Sequence, residues 1–132
     1  MNDLSEARSL LNAANRDLRA MSGMTDSQVF ADEIFGFHGQ QTAEKALKAW
    51  ISALGEVFPF THDVAALLRI IEAKGYDVSS FWELAAFNDF AVRLRYAELE
   101  NDVEPLDREQ SIAMAQAIYQ HVDNFISGQV SS

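Results

Sequence analysis

Three short segments of the chain carry side chains that could bind a ligand or take part in catalysis. The first, from His38 to Lys48, reads H-G-Q-Q-T-A-E-K-A-L-K. On a helix, four of its polar side chains fall within one stripe about 100° wide: Gln41, Glu44, Lys45 and Lys48. They could present hydrogen-bond donors to a phosphate or to an acidic group of a partner. Alternatively, Glu44 and Lys48 form an ordinary surface ion pair, which contributes about 0.3–0.5 kcal/mol.

The second segment is Thr61-His62-Asp63. In one interpretation Thr61 caps a helix, Asp63 complements the positive end of the helix dipole, and His62 is an ordinary first-turn residue. In the other, His62 acts as a general base or contacts a phosphate, because imidazole titrates near neutral pH.

The third segment is Arg93-Leu94-Arg95-Tyr96. Two arginines two residues apart point to different sides of a helix, so at most one of them faces a given site. Arg95 could hold a phosphate through two hydrogen bonds while Tyr96 stacks on a base. The alternative is that the arginine pairs with Glu98 or with the acidic residues that follow it.

Other kinds of catalytic or metal site are disfavoured. The three histidines, at positions 38, 62 and 121, have no histidine partner one turn away, and the chain has no cysteine. A glycine-rich phosphate loop, a nucleophile elbow and a dinucleotide fingerprint are all missing from the sequence. We therefore expect no metal and no cofactor.

Composition narrows the class of protein further. The 132 residues, of which 48% are hydrophobic, predict one globular domain spanning 1–132. The net charge of -10 opposes non-specific binding to nucleic acid or to an anionic membrane. The absence of cysteine, of a basic leader and of an apolar run near 18 residues leads us to expect a soluble cytoplasmic protein without a membrane contact.

The hydrophobic pattern predicts an all-α protein. An amphipathic seam marks helix one: Leu4, Ala7, Leu11, Ala14, Leu18 and Met21. Helix two is predicted to begin at Thr25, with Gln28 completing a capping box, and to run to Gly55. Apart from the run from Glu98 to Glu104, in which every second residue is acidic, no segment alternates with a period of two, so no sheet is expected.

Three further helices follow in the prediction. Helix three carries Val64, Leu67, Leu68 and Ile71 before Gly75. A capping box of Ser80 and Glu83 opens a fourth helix that passes through Leu94, and the acidic run from Glu98 to Glu104 is a connection. Asp107 and Gln110 cap the last helix, whose inward residues are Ile112, Ala115, Ile118, Val122 and Phe125. Together the elements predict an antiparallel helical bundle.

Helix two changes the character of one face along its length. The stripe that carries Lys45 and Lys48 continues backward to Phe30, Ile34 and Phe37. A helix that is apolar on one side in its first half and on the opposite side in its second half must contact two different neighbours. The second neighbour could be another subunit, so we expect these three apolar residues at a dimer contact.

The three segments in this order resemble the HEPN family, the small helical domains named for higher eukaryotes and prokaryotes nucleotide-binding. The resemblance rests on H-G-Q-Q-T-A-E-K-A-L-K-A at 38–49, T-H-D-V at 61–64 and R-Y at 95–96, and it extends from helix one to Phe125. It implies an up-and-down bundle of four long helices plus one shorter helix, a homodimer, and frequent association with a minimal nucleotidyltransferase. It also implies the candidate ligand- or partner-binding residues Gln41, Glu44, Lys45, Lys48, His62, Arg95 and Tyr96.

Many proteins of this family are metal-independent ribonucleases, whose motif is an arginine followed four to six residues later by histidine. Here the window after Arg93 and Arg95 covers Ala97 to Asn101 and contains no histidine. A site without its base should lose orders of magnitude in rate. The resemblance, taken with the missing histidine, therefore implies a non-catalytic subunit that dimerises and binds a nucleotide-type ligand or a nucleotidyltransferase, in a toxin-antitoxin or stress-defence pair.

Two alternatives remain open. One is a ribonuclease toxin that uses a non-standard base, His62 or Tyr96, together with Arg95 on its RNA substrate. The other is a helical module whose only task is self-association.

Overall fold

The structure is a computed structural model that describes residues 4–90 and 106–131. Within these ranges the chain forms α1 (Ser5–Ser22), α2 (Asp32–Ala53), α3 (Val64–Ala73), a 3₁₀ helix (Ser79–Phe87) and α4 (Arg108–Ser131). The described residues contain no strand. The prediction of an all-α bundle is confirmed.

Helix α1 buries the seam that its sequence pattern predicts. Five of the seam residues are buried and Leu4 packs against them: Ala7, Leu11, Ala14, Leu18 and Met21. Near one end Ser52 Oγ donates to Glu6 at 2.8 Å, and toward the other Lys45 Nζ donates to Asp17 at 2.6 Å. Because the residue numbers rise in α1 as they fall in α2, the two helices are antiparallel.

Helix α2 begins at Asp32 rather than at Thr25, so the predicted start was wrong. The Asp26 carboxylate accepts from the Gln28 amide at 2.9 Å and forms a local turn that competes with helix. The Phe30 carbonyl is taken by the guanidinium of Arg108 at 2.6 Å. Gly55, two residues beyond the end of α2, has a φ of 81°, as expected of a glycine that terminates a helix.

Helix α2 buries one side against the rest of the chain. It contacts α1, α3, the 3₁₀ helix and α4, and its buried side carries Phe35, Ala43, Leu47 and Trp50. On the opposite side of the helix, Ile34 is 39% exposed and Phe37 is half-buried. The dimer contact expected on that side stays a prediction.

The predicted third helix is confirmed, and the fourth differs from its prediction. Helix α3 buries Val64, Leu67, Leu68 and Ile71. The next element is a 3₁₀ helix, and the Ser79 amide at its start bonds to the Asp77 carboxylate at 2.9 Å, so Ser80 is not its cap. Leu94 and the acidic run lie outside the described residues.

Two glycines of α2 let the 3₁₀ segment approach closely. A side-chain carbon on Gly39 would lie 2.6 Å from the Phe87 ring, and one on Gly36 would overlap the Phe90 ring. No larger residue fits these positions without displacing the rings. The two glycines thus set the distance between α2 and the 87–90 segment.

The cap predicted for the last helix is confirmed. The Gln110 amide donates to the Asp107 carboxylate at 3.0 Å. The inward residues are the predicted Ala115, Ile118 and Val122, with Ile126 buried as well. Ile112 and Phe125 are only partly buried.

Candidate functional site

The buried carboxylate of Glu44 collects three donors at the middle of α2. Its side chain is 7% exposed. It accepts from Gln40 Nε2 at 2.9 Å, from His62 Nδ1 at 2.9 Å and from Lys48 Nζ at 3.0 Å. Gln41 joins this group by donating to the Gln40 amide oxygen at 2.7 Å. We refer to these five residues as the Glu44 cluster.

Glu44 is ionised at neutral pH. Burial raises its pKa, because a low dielectric disfavours the charged form. The hydrogen bonds from Gln40, His62 and Lys48, together with the lysine charge, outweigh this effect and hold the pKa below its ordinary value of 4.5. The carboxylate therefore remains an acceptor for all three donors.

His62 is held in place from both sides while its ring stays accessible. Its carbonyl accepts from Gln40 Nε2 at 2.8 Å, and its side chain is 73% exposed. Because an ionised carboxylate only accepts, Nδ1 carries the hydrogen that bonds Glu44, and Nε2 has no protein partner among the described residues. In its neutral form, an imidazole oriented in this way can accept a proton or a hydrogen bond from a bound molecule through Nε2.

The turn that carries His62 is built by capping of α3. Asp63, not Thr61, is the N-cap, and its carboxylate accepts from the Ala65 amide at 2.9 Å. Thr61 Oγ1 instead accepts from the Asp63 amide at 3.1 Å. Asn88 completes the turn, since its side chain accepts from the Val64 amide and donates to Asp63, both at 2.9 Å.

Lys45 belongs to a different group of side chains. Its ammonium lies 2.6 Å from Asp17 Oδ2, and the other oxygen of Asp17 lies 3.0 Å from His38 Nδ1. The predicted polar stripe of α2 is therefore divided. Gln41 and Lys48 join Glu44 toward the turn before α3, whereas Lys45 turns toward α1.

Both lysines of the stripe are neutralised by carboxylates. Lys48 is 12% exposed beside Glu44, and Lys45 is 30% exposed beside Asp17. A phosphate would have to displace a carboxylate to use either ammonium fully, which costs the interactions that the carboxylate makes. The two ammonium groups therefore bind carboxylates of this chain and do not form an open anion site.

An apolar loop adjoins His62 in the chain. In the 57–60 loop, Val57 and Phe60 are fully exposed, and the Phe58 ring lies 5.5 Å from Lys48 Nζ. Exposed large apolar side chains next to an oriented polar group are typical of an interaction surface.

The remaining predicted positions are distributed as follows. Phe30 and Phe37 are half-buried and Ile34 is 39% exposed. Phe30 lies before α2 rather than on it, because that helix begins at Asp32. Arg95 and Tyr96 lie outside the described residues.

Several contributing residues escaped the sequence reasoning. Gln40 and Asn88 hold the turn around His62, and Asp17 takes Lys45 away from the stripe. The four-residue step from Gln40 to Glu44 was a usable signal, as was the V-F-P-F sequence of the 57–60 loop. The contacts of Asp17 and Asn88 join distant parts of the chain, and no local pattern reports them.

Two negative findings apply to the described part of the chain. In 4–90 and 106–131, no group of three or more histidine, aspartate or glutamate side chains is placed to hold a metal ion. Over the same residues, no helix is both long and apolar enough to cross a bilayer.

Comparison with known proteins identifies a family for this chain. The family model of the HEPN domain matches residues 7–125, which is most of the chain. No curated protein and no solved structure matches the chain. The matched region covers α2, α3, the 3₁₀ helix and the Glu44 cluster completely, and most of α1 and α4. On this match and on its all-helical architecture, the chain belongs to the HEPN family.

Proposed function

We propose that this chain is a non-catalytic HEPN subunit that forms a homodimer and binds a nucleotide-type ligand or a minimal nucleotidyltransferase, as one half of a toxin-antitoxin or stress-defence pair. The observation that carries the proposal is the Glu44 cluster, which holds His62 in one orientation with its ring exposed. A positioned donor and acceptor at the surface suits recognition. The histidine that would make the site a ribonuclease is missing from the window after Arg93 and Arg95.

Within this proposal, the contacts support a protein partner more than a free nucleotide. Lys45 and Lys48 already bind carboxylates, and the chain carries a net charge of -10. Val57 and Phe60 add exposed apolar area in the loop that precedes His62 in the chain. A protein surface can cover such a patch, whereas the negative charge of this chain would repel a nucleoside triphosphate.

The test is a pair of binding measurements on the purified chain. Calorimetric titration with each ribonucleoside triphosphate measures nucleotide binding, and co-purification with a co-encoded nucleotidyltransferase measures partner binding. His62→Ala and Phe60→Ser should weaken whichever interaction is found, because both remove exposed contact groups. Glu72→Gln, at an exposed position on α3, should bind as the wild type does. Absence of both interactions in the wild type contradicts the proposal.

A second candidate function is supported by one contact. Glu44 orients His62 through Nδ1, an arrangement that also prepares a histidine to act as a general base. This favours the alternative of a ribonuclease with a non-standard base acting with Arg95. Expression should then arrest growth and cleave RNA, and Arg95→Ala and His62→Ala should each abolish both effects. Cleavage that persists in Arg95→Ala points to a contaminating nuclease.

A further inference from the structure

Nearly every basic side chain in the described ranges lies near a carboxylate. Six of them lie within 4.0 Å of an acidic oxygen: Arg8, Lys45, Lys48, Arg69, Lys74 and Arg108. Arg16 and Arg19 are the exceptions among the described residues, and both are exposed. In a chain with twice as many acidic as basic residues, two unpaired cations one helical turn apart are an unusual local excess of positive charge.

These two arginines end a continuous exposed face of α1. The face, which we name the α1 strip, consists of Ser5, Ser9, Asn12, Arg16 and Arg19. The steps between its members are four, three, four and three residues, the spacing that places side chains in one line along a helix. The strip spans about 21 Å at 1.5 Å per residue, and it contains no carboxylate.

The orientation of the α1 strip is fixed by the opposite side of the helix. That side buries Ala7, Leu11, Ala14, Leu18 and Met21 in the core. The two carboxylates of α1 point away from the strip, since Glu6 accepts from Ser52 and Asp17 binds Lys45. The strip is thus a rigid, polar and positively charged ridge on an acidic protein.

We propose that the α1 strip binds an acidic helix of a partner protein. The strip is a straight line of exposed polar positions, so a second helix lying along it can contact every member, and recognition depends on charge because the strip holds no apolar side chain. The short side chains of Ser5 and Ser9 allow close approach at one end, and Arg16 and Arg19 can each take a carboxylate through two hydrogen bonds at the other. Charge complementarity selects the partner.

Nucleic acid suits this surface less well than an acidic helix does. Tight binding to a phosphate backbone requires many cations along its length, and the strip offers two arginines. The strip shares no residue with the Glu44 cluster, so the proposal does not depend on the function proposed above.

The experiment uses a labelled synthetic helix as the probe. A peptide of about 18 residues, alanine-rich with glutamates at alternating steps of three and four, is titrated with the full chain at low salt and followed by fluorescence anisotropy. Arg16→Glu combined with Arg19→Glu should weaken binding by about tenfold, because attraction becomes repulsion. The matched control, Arg69→Glu with Lys74→Glu, makes the same change in net charge at one residue of α3 and at the residue that follows α3, and it should leave the affinity unchanged.

Further measurements distinguish an acidic helix from other molecules that could bind the α1 strip. A peptide of the same composition with its glutamates scattered around the helix should bind more weakly. The proposal is overturned if the peptide does not bind, if both double variants weaken it equally, or if a single-stranded oligonucleotide of about 20 nucleotides binds more tightly through the same arginines. It is also overturned if the α1 variant changes the oligomeric mass, since the occupant would then be a second copy of this chain. Circular dichroism of both variants checks that the exposed substitutions leave the fold intact.

Discussion

Glu44 Oε1 lies 2.9 Å from His62 Nδ1, and this contact joins the middle of α2 to the turn that begins α3. The same carboxylate binds Lys48, so one buried acid holds both a helix neighbour and a residue 18 positions away in the chain. The cluster therefore contributes to the fold as well as forming the candidate site. Its removal should change stability as well as the orientation of His62.

Replacement of Glu44 by Gln should destabilise the protein by about 2 kcal/mol. The new amide would present hydrogens toward donors that now face an acceptor, and Lys48 would keep its charge at 12% exposure without a counterion. Urea unfolding followed by circular dichroism measures the change. Glu72→Gln, at an exposed position, should alter the unfolding free energy by less than about 0.5 kcal/mol. Equal stability of the two variants would show that the cluster contributes nothing.

The pH dependence of stability should also depend on Glu44. Its pKa is lower in the folded protein than its ordinary value of 4.5, so the unfolded chain takes up the proton at higher pH. The contribution of the ionised group is complete well above 4.5 and is lost as the pH falls through the lowered value. The stability difference between the wild type and Glu44→Gln should therefore shrink between about pH 6 and pH 3. A difference that stays constant over this range contradicts the assignment.

Substitution of Gly39 by Ala should destabilise the protein although alanine favours helix. The new methyl group would lie 2.6 Å from the Phe87 ring, and relief of this overlap should cost about 1–3 kcal/mol. Gly128→Ala is the matched control, because that glycine lies in α4 with no atom within 4 Å of the added carbon. It should stabilise the protein by up to about 1 kcal/mol.

Thermal unfolding of both glycine variants gives the comparison. Adding Phe87→Leu to Gly39→Ala should restore part of the lost stability, since the smaller side chain leaves room for the methyl group. If Gly39→Ala unfolds at the temperature of Gly128→Ala, the close approach of Phe87 is not a constraint.

Arg108 should be irreplaceable by lysine. Its guanidinium donates to the Met24 and Phe30 carbonyls at 2.6 Å and to Asp32 at 2.7 Å, and it lies over the Phe35 ring. A lysine ammonium cannot reach all these acceptors in one plane, so Arg108→Lys should cost about 1–2 kcal/mol. Arg69→Lys, at an exposed site 4.0 Å from Asp63, should be nearly neutral. The free energies of unfolding of both variants, measured in urea, test this difference, and equal values would contradict it.

The sequence predicts those parts of the molecule that depend on local patterns. The seam of α1 and the Asp107 cap are periodic or short-range signals, and both are confirmed. The start of α2 was missed because Thr25 and Gln28 satisfy a capping pattern, while Arg108, more than 70 residues away, binds carbonyls that such a helix would use.

In the candidate site, too, local contacts are predicted from the sequence and long-range contacts are not. Helical spacing predicts Lys45 and Lys48 on one stripe of α2, but in the structure Lys45 binds Asp17 of α1 and Lys48 binds Glu44 of α2 itself. The turn at His62 was recognised as a cap, yet its geometry depends on Asn88, 24 positions beyond Val64. Sequence spacing encodes the Glu44–Lys48 pair, four residues apart, but it does not encode the pairing of Lys45 with Asp17, 28 residues away.

The dimer expected from the sequence is best tested at Ile34. Phe30 and Phe37 are half-buried, so a charge there would disturb packing, whereas Ile34 is 39% exposed. If this face joins two subunits, the wild type should sediment at twice the 14.7 kDa chain mass and Ile34→Glu at the mass of one chain. An acidic side chain at an apolar contact would be buried without a partner, and this penalty separates the subunits.

Val57→Glu provides the comparison for this measurement. It makes the same apolar-to-acidic change at a fully exposed side chain in the 57–60 loop, and it should sediment as the wild type does. Separation by both variants would indicate that added negative charge alone disrupts the dimer. A wild type that sediments as a single chain at micromolar concentration removes the dimer contact, and the apolar start of α2 is then explained by its neighbours within the chain.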